Sequence, residues 1–317
     1  MFLYLTTMHK PRSQKEIQSS WICQATNPLV SICCFTFNHE EFIEDALFGF
    51  LAQVTDFPFE IVIHDDASTD GTTSILKKYT QLYPDIIRLI VQARNQFSIY
   101  PNKPFITALN ACNGSFIALC EGDDYWICED KLSIQYEYIS ANSECSLVFH
   151  SIHRLENGIF DGHYYKKPSS MYLSQKDIIL HHYIPTCSTM FRASWLLDEI
   201  NSVQNIKLYP VADIPYEILV SGKGYVYYMD ICMGVYRLSP RSLTQSPTHL
   251  KSARLKMTWM YIDLFHYVIP QYRIFVMYVV LRLQLGYLKV VITTFVRLSI
   301  DLAKKVFYLL LPTKNSD

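Results

Sequence analysis

A chain of 317 residues suffices for one large α/β domain with an appendage, or for two modest domains. Half of its residues are hydrophobic and 14% aromatic, which excludes a disordered chain, and a formal net charge of -1 provides no basic field to draw it to nucleic acid. Its nine cysteines are odd in number and form no Cys-x-x-Cys pair, so they are read as core residues in a reducing compartment.

Met1 to Thr7 is apolar but short, and Lys10, Arg12 and Lys15 follow it; this is not a secretory signal pattern, and the cytosol is the expected compartment. Residues 1–27 form an N-terminal extension. From Leu29 to Phe37 runs a continuous apolar and β-branched segment, as in a strand buried on both faces, with Cys33 and Cys34 pointing to opposite sides. Asn38 is placed to cap a helix in which Phe42, Ile43, Ala46, Leu47, Phe50 and Leu51 recur at helical spacing. Phe59 to His64 reads as a second strand and ends at Asp65-Asp66. Ser68, Thr69 and Asp70 then offer capping oxygens, Gly71 allows a tight turn, and Ile75, Leu76, Tyr79 and Leu82 form a helix stripe.

Ile86 to Val91 predicts a third strand. Phe105 to Cys112 predicts a helix closed by Asn113-Gly114 in a left-handed cap, and Ser115 to Cys120 a fourth strand that leads into Glu121-Gly122-Asp123-Asp124. This β-α-β-α-β-α-β order implies a mainly parallel sheet with helices on both faces. Ligands in such sheets bind at the carboxyl ends of strands, where both acidic clusters fall.

Beyond Phe149 the pattern loosens. Asn157-Gly158 and Asp161-Gly162 suggest turns, Ser174 to Tyr183 a short helix, Leu208 to Leu219 a segment bearing Asp213 and Glu217, and Tyr225 to Tyr228 a strand. The chain thus divides into a ligand-binding half over 28–150, a second-substrate half over 151–250, and a tail over 251–317. The tail is apolar with Arg273, Arg282, Lys289, Arg297, Lys304 and Lys305 at intervals. It contains no uncharged run of the roughly 20 residues a spanning helix needs. Amphipathic helices at an anionic membrane surface are expected there, against a packed helical subdomain as the alternative.

Adjacent carboxylates at a strand end repel one another unless a cation compensates, and such oxygens suit Mg2+ or Mn2+ with open positions for phosphate. His181-His182 is not read as a metal pair, because neighbours on a helix face different ways.

Val30-Ser31-Ile32, Phe35-Thr36-Phe37-Asn38, Asp65-Asp66-Ala67-Ser68-Thr69-Asp70-Gly71-Thr72 and Glu121-Gly122-Asp123-Asp124-Tyr125-Trp126 together resemble family 2 glycosyltransferases. The likeness is dense from about Pro28 to His150 and thin afterwards. It implies the GT-A fold, a Rossmann-like mixed α/β architecture, and an inverting enzyme moving a hexose or N-acetylhexosamine from a nucleotide-diphosphate sugar, typically a UDP-sugar. Phe37 would stack on the base with Phe35 and Thr36 lining the pocket. Asp66 would contact the base, Asp123 the ribose or sugar side, and Asp124 the metal.

The family's general base is matched by Asp213, within Val211-Ala212-Asp213-Ile214-Pro215. Ser239 stands where relatives carry a His after Tyr236-Arg237, so Arg237 or Arg241 is considered for neutralising diphosphate. Family members often build bacterial surface polysaccharides. A glycan or lipid-linked acceptor and peripheral attachment to the cytosolic face of the inner membrane are therefore expected. Two other readings are a catalytically degenerate scaffold that binds sugar nucleotides and a nucleotidyltransferase. The latter is opposed by the acidic Asn38-His39-Glu40-Glu41, where a basic phosphate loop would lie.

Overall fold

The structure is a computed structural model that describes residues 10–22, 27–156, 158–163, 167–181, 184–238 and 247–286. Helix α1 (Gln14–Ser19) precedes a βαβ succession: β1 (Val30–Thr36), α2 (Ile43–Leu51), β2 (Phe59–Asp65), α3 (Thr72–Leu82), β3 (Ile87–Val91), α4 (Lys103–Asn110) and β4 (Phe116–Leu119). These strands lie parallel in the order β3-β2-β1-β4, with Val30 opposite Phe59 and Thr36 opposite Asp65. The strand–helix–strand alternation of the sequence produces this arrangement, because each crossover helix covers a face of the sheet.

After β4 come β5 (Tyr125–Trp126), α5 (Lys131–Ala141), β6 (Cys145–Glu156), β7 (Ile159–His163), β8 (Tyr172–Leu173) and α6 (Gln175–Leu180). They are followed by β9 (Met190–Arg192), α7 (Ala193–Ser202), α8 (Asp213–Ser221), β10 (Tyr225–Leu238) and α9 (Pro247–Leu264), and residues 273–286 form a last helix, α10. The sheet continues β4-β9-β6-β10-β5. Strand β9 is antiparallel to both neighbours, β10 is parallel to β6, and β5 is antiparallel to β10. The first four strands therefore carry the parallel character, and the half beyond them is mixed.

Two apolar layers sandwich the sheet. Val30, Ile32 and Cys34 of β1 pack on one side with α2, α3 and α5; Cys33 packs on the other with α4, α7, α8 and α9. Cys33 and Cys34 thus do face opposite layers, as strand alternation requires.

Several local expectations are corrected. Asn38 is not the cap of α2: that position is Phe42, and Asn38 has a left-handed φ of 56°. Neither Asn113 nor Gly114 is left-handed. Glycine is needed at 114 because a Cβ there would lie 2.5 Å from the Ser31 backbone nitrogen. Gly71 likewise has an ordinary helical φ of -72°, and a Cβ would strike a Glu40 carboxylate oxygen at 2.6 Å. Asp161-Gly162 belongs to β7 rather than a turn; Gly158, at φ 77°, makes the bend before it. Of the tail, α9 and α10 are described, and residues 287–317 lie outside the described residues. No helix among the described residues is long and apolar enough to cross a membrane.

Candidate active site

The carboxyl ends of the neighbouring parallel strands β1, β2 and β4 lie side by side at one edge of the sheet. Asn38 and Ala67, immediately beyond β1 and β2, are the two non-glycine residues with positive φ among the described residues. For alanine that conformation costs about 1 kcal/mol, and the surrounding bonds hold it. Asn38 Oδ1 accepts from the Thr69 amide at 2.7 Å, the Asn38 amide donates to Ser68 Oγ at 3.0 Å, and the His39 amide donates to Thr72 Oγ1 at 2.9 Å. Asp65, fully buried, accepts from the Ser68 amide and hydroxyl and from the Thr73 hydroxyl. Asp70 Oδ1 accepts from the Thr72 amide at 3.0 Å, but the N-cap of α3 is Gly71, with no side-chain cap bond. Ser68 and Thr69 bond instead to Asp65 and Asn38, which corrects the capping read for these three residues.

Along this rim the expected pocket residues come together. Phe35 is half-buried and meets Phe105 edge-on at 5.8 Å, Thr36 is buried, and Phe37 is 40% exposed, with a ring surface free to be covered. Asp66 is buried, its Oδ1 accepting from the Gln96 amide at 2.7 Å and its Oδ2 from the Phe97 amide at 2.9 Å. It thereby fastens the loop after β3 to the end of β2, and each oxygen keeps a second lone pair.

The acidic turn after β4 is the electrostatic centre. Gly122 lets it pass against β1, since a Cβ there would sit 2.7 Å from Thr36 Oγ1. The Asp123 side chain is 25% exposed and lies 3.8 Å from His39 Nε2. Asp124 is 1% exposed; its Oδ1 accepts from the Arg237 amide at 2.8 Å, and its Oδ2 is buried with no hydrogen-bond partner among the described residues. Burial first, then Asp123 and Glu121, pushes the Asp124 carboxyl well up from its ordinary range. Burial and the neighbouring Asp123 also raise Glu121, to about 8, and one of its oxygens is buried without a partner.

Arg237 secures this turn. Its guanidinium donates to the Asp123 carbonyl at 2.9 Å, pairs with Asp45 of α2, and lies between the rings of Phe42 and Tyr125 at 5.0 and 4.5 Å. The guanidinium considered for neutralising diphosphate is thus already engaged by Asp45 and the Asp123 carbonyl. Ser239 and Arg241 lie outside the described residues.

Below the turn, Trp126 Nε1 donates to the Cys187 carbonyl at 2.7 Å, and Lys131 lies 3.9 Å over the Trp126 ring. From the opposite wall, α8 brings Asp213 in its first turn, where the helix dipole favours a carboxylate. Asp213 is half-buried and close enough to Glu121 to help raise it. One turn later Glu217 is buried, with an oxygen lacking a partner, and burial and then Asp213 hold its carboxyl well above the usual range.

A divalent cation suits this donor set in one respect: clustered carboxyls, two of them with buried unpartnered oxygens, gain from positive charge. Among the described residues, no three His, Cys, Asp or Glu side chains converge as a fully protein-ligated ion demands. One or two carboxylates plus substrate phosphates is the pattern Mg2+ accepts.

The family profile described as glycosyl transferase family 2 matches residues 31–196, more than half of the chain. The chain belongs to that family. An uncharacterised protein of Mycobacterium tuberculosis is 37% identical over 172 residues, covering 54% of this chain and 49% of its own length. The chain thus spans about half the length of that relative. The putative teichuronic acid biosynthesis glycosyltransferase TuaG of Bacillus subtilis is 27% identical over 235 residues, 73% of this chain and 86% of TuaG. Among solved structures, Staphylococcus aureus TarS 1–349 in complex with UDP superposes with TM-score 0.55 at 21% identity, covering 74% of this chain and 65% of TarS. The fold of this family 2 protein is accordingly GT-A.

Within the family 2 match lie Phe35, Thr36, Phe37, Asp66, Asp123 and Asp124; Asp213 and Arg237 fall beyond it. The fold nevertheless brings Arg237 onto the Asp123-Asp124 turn and Asp213 within electrostatic reach of Glu121. Sequence reading did not single out the Asp45–Arg237 pair, and it named Glu121 and Glu217 without giving them a role. The signals for these two were the strand-end turn Glu121 shares with the aspartates and the place of Glu217 one helical turn after Asp213.

Proposed function

We propose that this protein is an inverting glycosyltransferase that moves a hexose or N-acetylhexosamine from a UDP-sugar to a hydroxyl of a glycan or lipid-linked acceptor. The observation that carries this reading is that Asp213, in the first turn of α8, lies close enough to Glu121 of the acidic turn after β4 to help raise its carboxyl. The chemistry needs a base on one side of the anomeric carbon and a site for the departing diphosphate on the other. TarS has been seen with UDP and with UDP-GlcNAc, and a mannosyltransferase of Pyrobaculum calidifontis with GDP-Man and Mn2+. TuaG is named for teichuronic acid biosynthesis. These support a nucleotide-sugar donor and a surface-polysaccharide acceptor.

In this mechanism the exposed face of Phe37 stacks on uracil, Phe35 and Thr36 line the pocket, and Asp66 meets the base edge through the lone pairs left by Gln96 and Phe97. Asp123 faces the ribose and diphosphate. Mn2+ or Mg2+ would be held by the Asp123–Asp124 turn and would supply Lewis-acid neutralisation of the departing UDP. Asp124, whose Oδ2 is buried without a hydrogen-bond partner among the described residues, would contact the metal, while its Oδ1 anchors the turn to the Arg237 amide and the more exposed Asp123 borders it. Asp213 takes the proton from the acceptor hydroxyl as that oxygen bonds to the anomeric carbon and the bond to diphosphate breaks. The enzyme works as a peripheral protein on the cytosolic face of the inner membrane, where a lipid-linked acceptor is met.

Calorimetric titration of UDP with and without Mn2+ tests the donor site. Binding strengthened by Mn2+ in the wild type and lost in Asp124→Ala is expected, with Asp123→Ala also impaired. Absence of any nucleotide binding by the wild type refutes the proposal. Asp213→Asn is expected to lower turnover by at least about a hundredfold while leaving UDP affinity nearly unchanged, measured by sugar-nucleotide consumption with acceptor. Retained turnover would place the base elsewhere.

A further inference from the structure

The two helices that close the described chain are apolar on both sides. Their inner faces are packed: Met260, Tyr261 and Leu264 of α9 and Val276 of α10 are buried in the same cluster as Tyr216, Ile218, Leu219 and Val220 of α8. Gln175 bolts the assembly together. It is buried, donates through Nε2 to the Ile218 carbonyl at 2.8 Å, and accepts through Oε1 from the Ile269 amide at 2.9 Å, just before α10.

The outer faces remain uncovered. On α10, Ile274, Met277, Tyr278, Leu281 and Leu285 are 50 to 70% exposed. Their spacing of three and four residues places them on one stripe of the helix. On α9, Leu255, Trp259 and Ile262 recur at the same spacing, with Trp259 71% exposed. A soluble helix normally turns charged residues outward here, so exposure of this much apolar surface marks a contact face.

Charge identifies what covers it. Residues 247–317 carry ten Lys and Arg against three Asp, whereas residues 1–246 carry 18 against 26 acids. The one acid within α9 and α10, Asp263, accepts from the Tyr209 hydroxyl at 2.6 Å and is directed to the body. Lys256 and Arg282 are exposed, Arg282 beside the Tyr278 ring at 5.8 Å. Aromatic and aliphatic side chains flanked by cations, on an otherwise acidic protein, complement an anionic lipid surface.

We propose that the outer stripes of α9 and α10 form the face by which this protein lies on an anionic bilayer. Because their inner sides are fixed to α8, docking also fixes the helix bearing Asp213 relative to the lipid surface. The purpose of this contact rests on the glycosyltransferase reading; the contact itself does not.

The test is co-sedimentation of the full chain with vesicles of phosphatidylcholine containing phosphatidylglycerol, and with phosphatidylcholine alone, at low and high salt. Preferential, salt-sensitive partition onto the anionic vesicles is expected. The double variant Met277→Glu/Leu281→Glu should weaken it by at least about tenfold, and Lys256→Glu/Arg282→Glu should remove the preference for anionic lipid. UDP titration of both variants, unchanged from the wild type, shows that they are folded and that the donor site is intact. No partition by the wild type, or partition unaltered in both variants, overturns the proposal. So does a dimer, seen by light scattering, that Met277→Glu/Leu281→Glu dissociates, because a second copy would then own the face. Failure of the wild type to bind UDP while it still partitions counts against the glycosyltransferase reading and leaves the docking surface standing.

Discussion

Lys131 is fully buried, its ammonium donating to Gln135 Oε1 at 2.6 Å over the Trp126 ring, with no carboxylate paired to it among the described residues. Burial drives its pKa down from 10.5 to about 7. Between those values the unfolded chain holds a proton that the folded chain has released. Stability attributable to Lys131 therefore rises as pH climbs from about 7 towards 10.5, and is least below 7, where the folded protein must bury the charge. Lys131→Met keeps the volume and removes the charge. It is expected to raise Tm at about pH 6 and to flatten the slope between about pH 7 and 9, measured against the wild type in parallel thermal melts. A wild-type slope retained in the variant would mean that Lys131 titrates normally.

At the scale of elements, α6 offers the clearest test of local encoding. Asp177 Oδ2 accepts from the Ser174 amide at 2.8 Å and from its hydroxyl at 2.6 Å, closing the first turn. Asp177→Ala is expected to cost about 1 kcal/mol and to lower Tm by roughly 2–4 °C in calorimetry, with no effect on UDP binding. Helix α6 and strands β1 to β4 were legible because each stands alone: an uninterrupted apolar run or a helical stripe bounded by caps. Strands β5 and β9 have two and three residues, too short for any periodicity to register. Strand β10 was read only over Tyr225 to Tyr228. Beyond these, Asp230 and the register shifts between Met229 and Gly234 interrupt its alternation. The site divides in the same way. Phe37, Asp66, Asp123 and Asp124 were legible as strand-end residues in recognisable motifs, whereas Arg237 meets Asp124 across 113 residues, a pairing that no local pattern encodes.

The whole molecule joins regions of different chemical character. An acidic α/β body is fastened through Gln175 and the α8–α9 packing to a basic, apolar end. The motif-rich first half supplies the pocket, but the second half completes it. Strand β5, directly after the paired aspartates, finds its partner in β10, with Val235 opposite Tyr125 and Gly234 opposite Trp126. This pairing has a kinetic consequence. Contacts so distant in sequence form late, because a long loop must close before they return any energy. The parallel βαβ units can collapse early and hold Gly122 against β1, yet Asp124 gains its bond to the Arg237 amide only when β10 arrives. During synthesis a ribosome must therefore release most of the chain before the aspartate turn is complete, and the segment that carries the family's motifs, residues 31–196, lacks the strand that completes it.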